Sequence, residues 1–291
     1  MDCNIHDITM STYEEKNVKE LGHEITKLMK IYDEFADSDK YIDKYIEQLN
    51  VLINISYDVD FSEIIVCTYG ERLINHFVHT YDKNKTAREA KKYSLIQQLS
   101  VHDKLHDELV NKCGVIEVVV NIMTNQSNIF LEQITNLENV TSQLQLQCKC
   151  CCILKNLTKN LRWGLLICSL GGIDLLLKIM TIYPNEVDIQ THAIVSLYNL
   201  AHMWGFQPDV KIVDEENIKQ MNTCKAIFII ETITQKLFAT EEETIKYNIK
   251  FNSPYTSDIK FNQQKLQKIL SSSNCCYKLI KILVVSNKHK V

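Results

Sequence analysis

The chain has 291 residues, 45% hydrophobic and 23% charged, with 32 basic and 36 acidic side chains giving a net charge of −4; that length is enough to bury a substantial core. The basic residues are scattered and form no stripe, which argues against a nucleic-acid partner, and no apolar run reaches the ~18 residues of a membrane span. Only 7 Gly and 3 Pro punctuate the sequence, too few for the turn signal roughly every 8–12 residues that a sandwich or barrel needs, so the expected class is all-α.

In chain order, residues 1–20 carry Asp, Glu and His where a secretory signal needs an apolar core, and they are expected to form a flexible segment. A degenerate helical cap is expected from Leu21. The first clear helical pattern ends in Leu52-Ile-Asn-Ile55, and the same element returns as Ile96-Gln-Gln-Leu99, Leu154-Lys-Asn-Leu157 and Leu197-Tyr-Asn-Leu200, at spacings of 44, 58 and 43 residues. The long middle spacing predicts an insertion, placed at Asn125–Ser142, where Asn, Gln, Ser and Thr dominate. Gln147 and Gln190 stand at the start of the last two patterns.

Between these anchors lies a second element. Gly114-Val-Ile-Glu-Val-Val-Val-Asn-Ile-Met123 aligns with Gly171-Gly-Ile-Asp-Leu-Leu-Leu-Lys-Ile-Met180, and more weakly with the segment from Gly70 to Val78. In each copy Gly is expected to permit a sharp turn after a short helix, and the apolar run that follows reads as a helix buried on more than one side. The third helix of the unit is amphipathic: Ile189, Ala193, Ile194, Leu197, Leu200 and Ala201 recur at helical spacing, leaving Gln190, His192, Asn199 and His202 for the surface. Clear repeats are expected over residues 41–203, with divergent helices near Cys224–Phe238, Asp258–Leu270 and Asn274–Val285, all within a single domain over residues 21–286.

This unit resembles the armadillo repeat, in which a short helix, a Gly turn and a second helix precede a third helix ending in Leu-x-Asn-Leu. The resemblance implies a right-handed α-α superhelix, or solenoid. The order of the elements is similar to that of the armadillo-type nucleotide exchange factors of seventy-kilodalton heat-shock chaperones. The likeness rests on Asp58-Val-Asp-Phe-Ser-Glu-Ile-Ile65 leading into the first Gly turn, on Cys151-Cys-Ile-Leu-Lys-Asn-Leu-Thr-Lys-Asn160 followed by Leu170-Gly-Gly-Ile173, and on Glu186–Leu200. It implies a non-enzymatic co-chaperone that grips the chaperone's nucleotide-binding domain and promotes ADP release, with no cofactor and as a monomer. The family has cytosolic and endoplasmic-reticulum branches. A cytoplasmic location is the expectation, the reticulum lumen the alternative if a signal peptide precedes Met1.

The recurring amides Asn54, Gln98, Asn156 and Asn199 hold one repeat position, where buried amides either tie neighbouring third helices together or bind a partner's backbone. One turn away lie Lys149, Lys159 and His192, with Asn50, Cys152 and Val195, a mildly basic strip suited to an acidic partner surface. These residues form the expected partner-binding set. The alternative is a general armadillo adaptor for an extended peptide of a trafficking or cytoskeletal protein. A transport receptor of that kind places Trp four residues before each Asn, where this chain has Asn50, Ser94, Cys152 and Val195.

Signals for chemistry are weaker. His102-Asp-Lys-Leu-His106 has the i, i+4 imidazoles of a zinc-protease helix, but Asp replaces the Glu base and no third ligand flanks it, so no metal site is assigned. The 11 cysteines are odd in number and Cys148, Cys150, Cys151 and Cys152 crowd one helix, which fits small apolar packing and a reducing compartment better than a disulfide framework. Asn54, Asn139 and Asn156 begin glycosylation-type tripeptides of the kind an Asn-rich chain yields by chance. No phosphate loop or nucleophile elbow is present, and no catalytic residue is assigned.

Overall fold

A computed structural model of the chain describes residues 12–35, 39–82, 86–132, 137–204, 211–213 and 220–221. These residues are almost wholly helical and fall into two compact units, one up to Gly114 and one from Val115. The single domain expected over residues 21–286 extends across both, and its divergent helices after Met221 lie outside the described residues.

The first unit holds α1 (Thr12–Phe35), α2 (Asp39–Ile55), α3 (Val59–Ile64), α4 (Gly70–His79), α5 (Thr86–Leu99) and α6 (His106–Asn111). α1 begins at Thr12, ahead of the start expected at Leu21, and buries Leu21, Ile25, Leu28 and Met29 against α2. Each such side chain contributes about 1.5–3 kcal/mol when fully buried. α3 starts where Asp58 takes an extended conformation (φ −80°, ψ 130°) and its carboxylate accepts from the Asp60 and Phe61 backbone N–H groups at 2.9 and 3.3 Å, an N-cap by the usual route. A π-helical turn, Ile65–Tyr69, joins α3 directly to α4. Here Gly70 differs from expectation. Its backbone is right-handed helical (φ −57°), so no turn requires it; instead a Cβ there would lie 2.8 Å from Cys113 Sγ, and it is close packing that excludes a side chain.

In the second unit α7 (Val115–Glu132), α8 (Leu137–Leu157), α9 (Leu161–Ser169), α10 (Gly172–Ile182) and α11 (Val187–Ala201) pack around Val119, Ile153, Leu154, Leu176 and Leu197. Gly171 does what the sequence reading asked: at φ 78° it is left-handed, and α9 and α10 meet there at a bend of 75°. The insertion placed at Asn125–Ser142 is largely helix, because α7 runs on to Glu132 and α8 begins at Leu137, well before Gln147. The only strands among the described residues are β1 (His202–Trp204) and β2 (Lys211–Val213), a short antiparallel ribbon after α11 that the all-α reading did not anticipate. No single described helix is long and apolar enough to cross a membrane.

The helices ending in the recurring anchor lie side by side within each unit, α2 against α5 and α8 against α11. Every anchor occupies the last turn of its helix.

Candidate partner-binding surface

α8 and α11 form the most extensive helix pair of the second unit. Their apolar stripes face inward: Leu146, Cys150, Leu154 and Leu157 from α8, Ile189, Ala193, Leu197 and Leu200 from α11. Helical periodicity then turns Lys149 and Lys155 of α8 partly outward, with Lys159 exposed in the turn beyond, and brings Thr191, His192, Val195 and Asn199 of α11 to a matching half-buried face. Asp188 is the exposed acid on that face of α11. The surface therefore offers ammonium groups, an imidazole and amides, which suits it to hold carboxylates and backbone carbonyls of another protein.

The seven sequence-derived candidates are not equivalent in this setting. Lys149, Lys159 and His192 reach solvent to different degrees. Asn156 is only 5% exposed, and Asn199 Nδ2 donates to Thr158 Oγ1 at 3.2 Å, joining α11 to the end of α8. Asn199 thus ties α11 to the turn that follows α8. In the first unit Asn54 is exposed in the last turn of α2 and Gln98 is half-buried in the last turn of α5; nearby, Asn50 Oδ1 accepts from Lys91 Nζ at 3.1 Å.

Gln190, assigned to the surface from its helical phase, is fully buried. Its Nε2 donates to Met180 O at 2.9 Å, a carbonyl the end of α10 leaves without a helical partner, and to Tyr183 O at 2.8 Å, which also accepts from the Glu186 backbone N–H at 3.2 Å. Gln147, its equivalent 43 residues earlier, is buried too and donates to Met123 O at 3.3 Å. Met123 and Met180 are themselves equivalent in the alignment of second helices. The recurrence of Gln at this spacing was the available signal; its role was not, because periodicity alone does not tell a buried amide from an exposed one.

The position equivalent to Gln190 in the first unit, nine residues before Gln98, is Glu89. It sits with Arg88 and Lys92 in a buried ionic cluster, the three being 0%, 3% and 0% exposed. Arg88 Nη2 and Lys92 Nζ donate to Thr80 O, at the end of α4, at 2.9 and 3.0 Å. Burial lowers the Lys92 pKa to about 8 and raises that of Glu89, each shift opposed by the neighbouring opposite charge.

The two imidazoles of the zinc-like motif do not share a helix face. His102 precedes a 3₁₀ turn with extended backbone, and its Nε2 lies 3.4 Å from Ser56 O; His106 opens α6, is buried, and its Nε2 lies 2.9 Å from Ser100 O. Both rings are engaged by carbonyls. The cysteines of α8 are free thiols, and burial pushes Cys150 and Cys151 well above the usual thiol range, which leaves them protonated and weak as nucleophiles or metal ligands.

No protein-family model and no curated protein matches the sequence. Among solved structures the chain is similar to the crystal structure of an engineered protein from the Northeast Structural Genomics Consortium, at 14% identity over 91% of this chain and 96% of that one, with a TM-score of 0.51. At that identity the likeness bears on the fold alone.

Proposed function

We propose that the chain is an armadillo-type array, a right-handed stack of three-helix units, that works by holding a partner protein on the α8–α11 face without chemistry of its own. One observation carries the reading: Gln147 and Gln190, 43 residues apart, donate to the equivalent carbonyls of Met123 and Met180. A unit that repeats down to single hydrogen bonds is what an array of stacked repeats requires, and such arrays serve as binding surfaces.

The order of motifs from Asp58 to Leu200 supplies the partner, the nucleotide-binding domain of a seventy-kilodalton heat-shock chaperone. In this reading Lys149, Lys159 and His192 meet carboxylates of that domain, and Asn156 and Asn199 hold α8 and α11 in register. Exchange then needs no reaction at the surface. A partner that binds the open, nucleotide-poor chaperone more tightly than the closed one shifts the equilibrium by that difference in affinity, and ADP leaves faster.

The test is equilibrium binding to an isolated chaperone nucleotide-binding domain, with and without ADP, using cytosolic and reticulum chaperones in parallel. Affinity on the order of tenfold or more tighter without nucleotide, about 1.4 kcal/mol, is expected. Equal affinities in the two states overturn the exchange role. Binding to neither chaperone, with capture of an extended peptide on the same face, returns the general adaptor.

A further inference from the structure

We propose that the outer face of α9 is a docking surface for an amphipathic segment of another protein, one that sets a carboxylate beside leucine-like side chains. The inference concerns the second unit and does not rest on the chaperone reading. α9 buries Trp163, Gly164 and Ile167, and at Gly164 it lies so close to α11 that a Cβ would stand 3.3 Å from Leu200 Cδ2. Helical spacing turns two rows away from that seam, Leu161–Leu165–Ser169 and Arg162–Leu166–Leu170. All six residues reach solvent in part or in full, Leu165 at 46% and Leu170 at 39% exposure.

The short helices α3 and α6 show what this face ordinarily carries. Ser62, His106 and Gly164 stand eight residues after Asn54, Gln98 and Asn156. Ser62 Oγ donates to Ser56 O at 2.7 Å, His106 Nε2 lies 2.9 Å from Ser100 O, and a Cβ on Gly164 would lie 4.0 Å from Thr158 O, so the three positions face equivalent carbonyls. The residue that follows each is Glu63, Asp107 and Leu165, all exposed. Where α3 and α6 put a carboxylate into water, α9 puts a leucine. Leucines scattered singly over a surface are ordinary, but Leu161, Leu165, Leu166 and Leu170 share adjacent rows of one helix and form a patch that apolar side chains can cover.

Charge decides what the patch takes. From Lys159 to Ile173 the sequence has no acidic residue, while Lys159 and Arg162 are exposed at one end of the leucine rows. Arg162 is held in place: Asn160 Oδ1 accepts from its backbone N–H at 2.9 Å, and its guanidinium lies over the buried Trp163 ring, 4.6 Å from the centroid. A guanidinium with one face on an indole keeps its edge N–H groups for a carboxylate, which they match in a two-pronged contact. A cation at the start of an acid-free leucine face selects an apolar segment with an acid at the matching end and repels a basic one. A lipid surface fits less well. By length and composition α9 and α10 together are apolar enough to suit a membrane, but α10 turns Ile173, Leu176, Leu177 and Ile179 into the protein core, which leaves α9 alone to face lipid.

The probe is a labelled helical peptide with leucines at i, i+3, i+4 and i+7 on one face and glutamates ahead of the first, together with a twin that carries lysines in place of the glutamates. Fluorescence anisotropy against the full chain is expected to show saturable binding of the glutamate peptide, binding of its lysine twin weaker by about tenfold or more, and the opposite preference for Arg162→Glu. Leu165→Glu gives α9 the carboxylate that Glu63 and Asp107 supply in α3 and α6. It is expected to weaken the glutamate peptide by about tenfold or more while the urea midpoint stays near that of the wild type, because the side chain is exposed. Absence of saturable binding, equal binding of the twins, or unchanged binding by Leu165→Glu overturns the proposal. So does Leu165-dependent sedimentation with phosphatidylserine–phosphatidylcholine vesicles in the absence of peptide binding, which assigns the face to lipid.

Discussion

The two units satisfy the same backbone need with different chemistry. At the end of α10, the carbonyls of Met180 and Tyr183 take two hydrogen bonds from the neutral amide of Gln190. At the end of α4, the Thr80 carbonyl takes its bonds from two cations, with Glu89 standing where the amide would be. Both close the gap that every helix end leaves. The amide does so without charge, so its contribution is independent of pH and salt. The ionic version desolvates three charges, and it holds only while each has its partner. At these two helix ends the contact is alike, a side-chain donor from α5 or α11 to the last carbonyls of α4 or α10, while the chemistry of the donor differs.

The largest expected effect breaks the ionic side of this contrast. Glu89→Ala removes the buried carboxylate that Arg88 and Lys92 share, and the unfolding free energy from urea titration is expected to fall by about 3–5 kcal/mol. A loss under 1 kcal/mol or so would mean that water reaches the cluster and that the comparison is false.

Gln190→Ala breaks the neutral side. Two buried carbonyls lose a donor, and a loss of about 1–3 kcal/mol is expected by the same titration, constant from pH 6 to 9 or so. Gln147→Ala should cost less, because Gln147 makes one bond of 3.3 Å to a carbonyl in mid-helix. Reversal of that order would undo the claimed equivalence of the two amides.

Smaller again is Asn199→Ala, which removes the 3.2 Å bond to Thr158 and is expected to cost about 0.5–1.5 kcal/mol. Lys149→Glu should change stability by only about 0.5 kcal/mol, as surface substitutions generally do, while weakening chaperone binding about tenfold. Together they separate seam from surface. If Asn199→Ala spared the fold and Lys149→Glu damaged it, the assignment of the two residues would be inverted.

The helical class was legible in the scarcity of Gly and Pro, and the anchors located the ends of α2, α5, α8 and α11 because a recurring Leu-x-Asn-Leu marks where an amphipathic stripe stops. Gly171 was readable for the same local reason, a left-handed turn that other residues adopt at a cost. Gly70 was not, since its need arises from Cys113, distant in sequence. The polar run around Asn125 reads as an insertion between helices, yet Asn, Gln and Ser tolerate helix when flanking turns already propagate it, and both α7 and α8 absorb parts of it. The candidate surface was half legible. The partial exposure of Lys149 and His192 followed from helical phase, whereas the burial of Asn156 and Gln190 depends on neighbouring helices that one helix's periodicity does not describe. Arg88, Glu89 and Lys92 gave no warning, because charged residues in a helix ordinarily face water.

The central claim, that this chain opens a chaperone's nucleotide site by binding, is tested most directly by stopped-flow release of a fluorescent ADP from a seventy-kilodalton chaperone mixed with the full chain. The account predicts a release rate that climbs with chain concentration to a plateau, and a lower rate at equal concentration for Lys149→Glu. A release rate that stays at its basal value up to saturating chain, with cytosolic and reticulum chaperones alike, would contradict it.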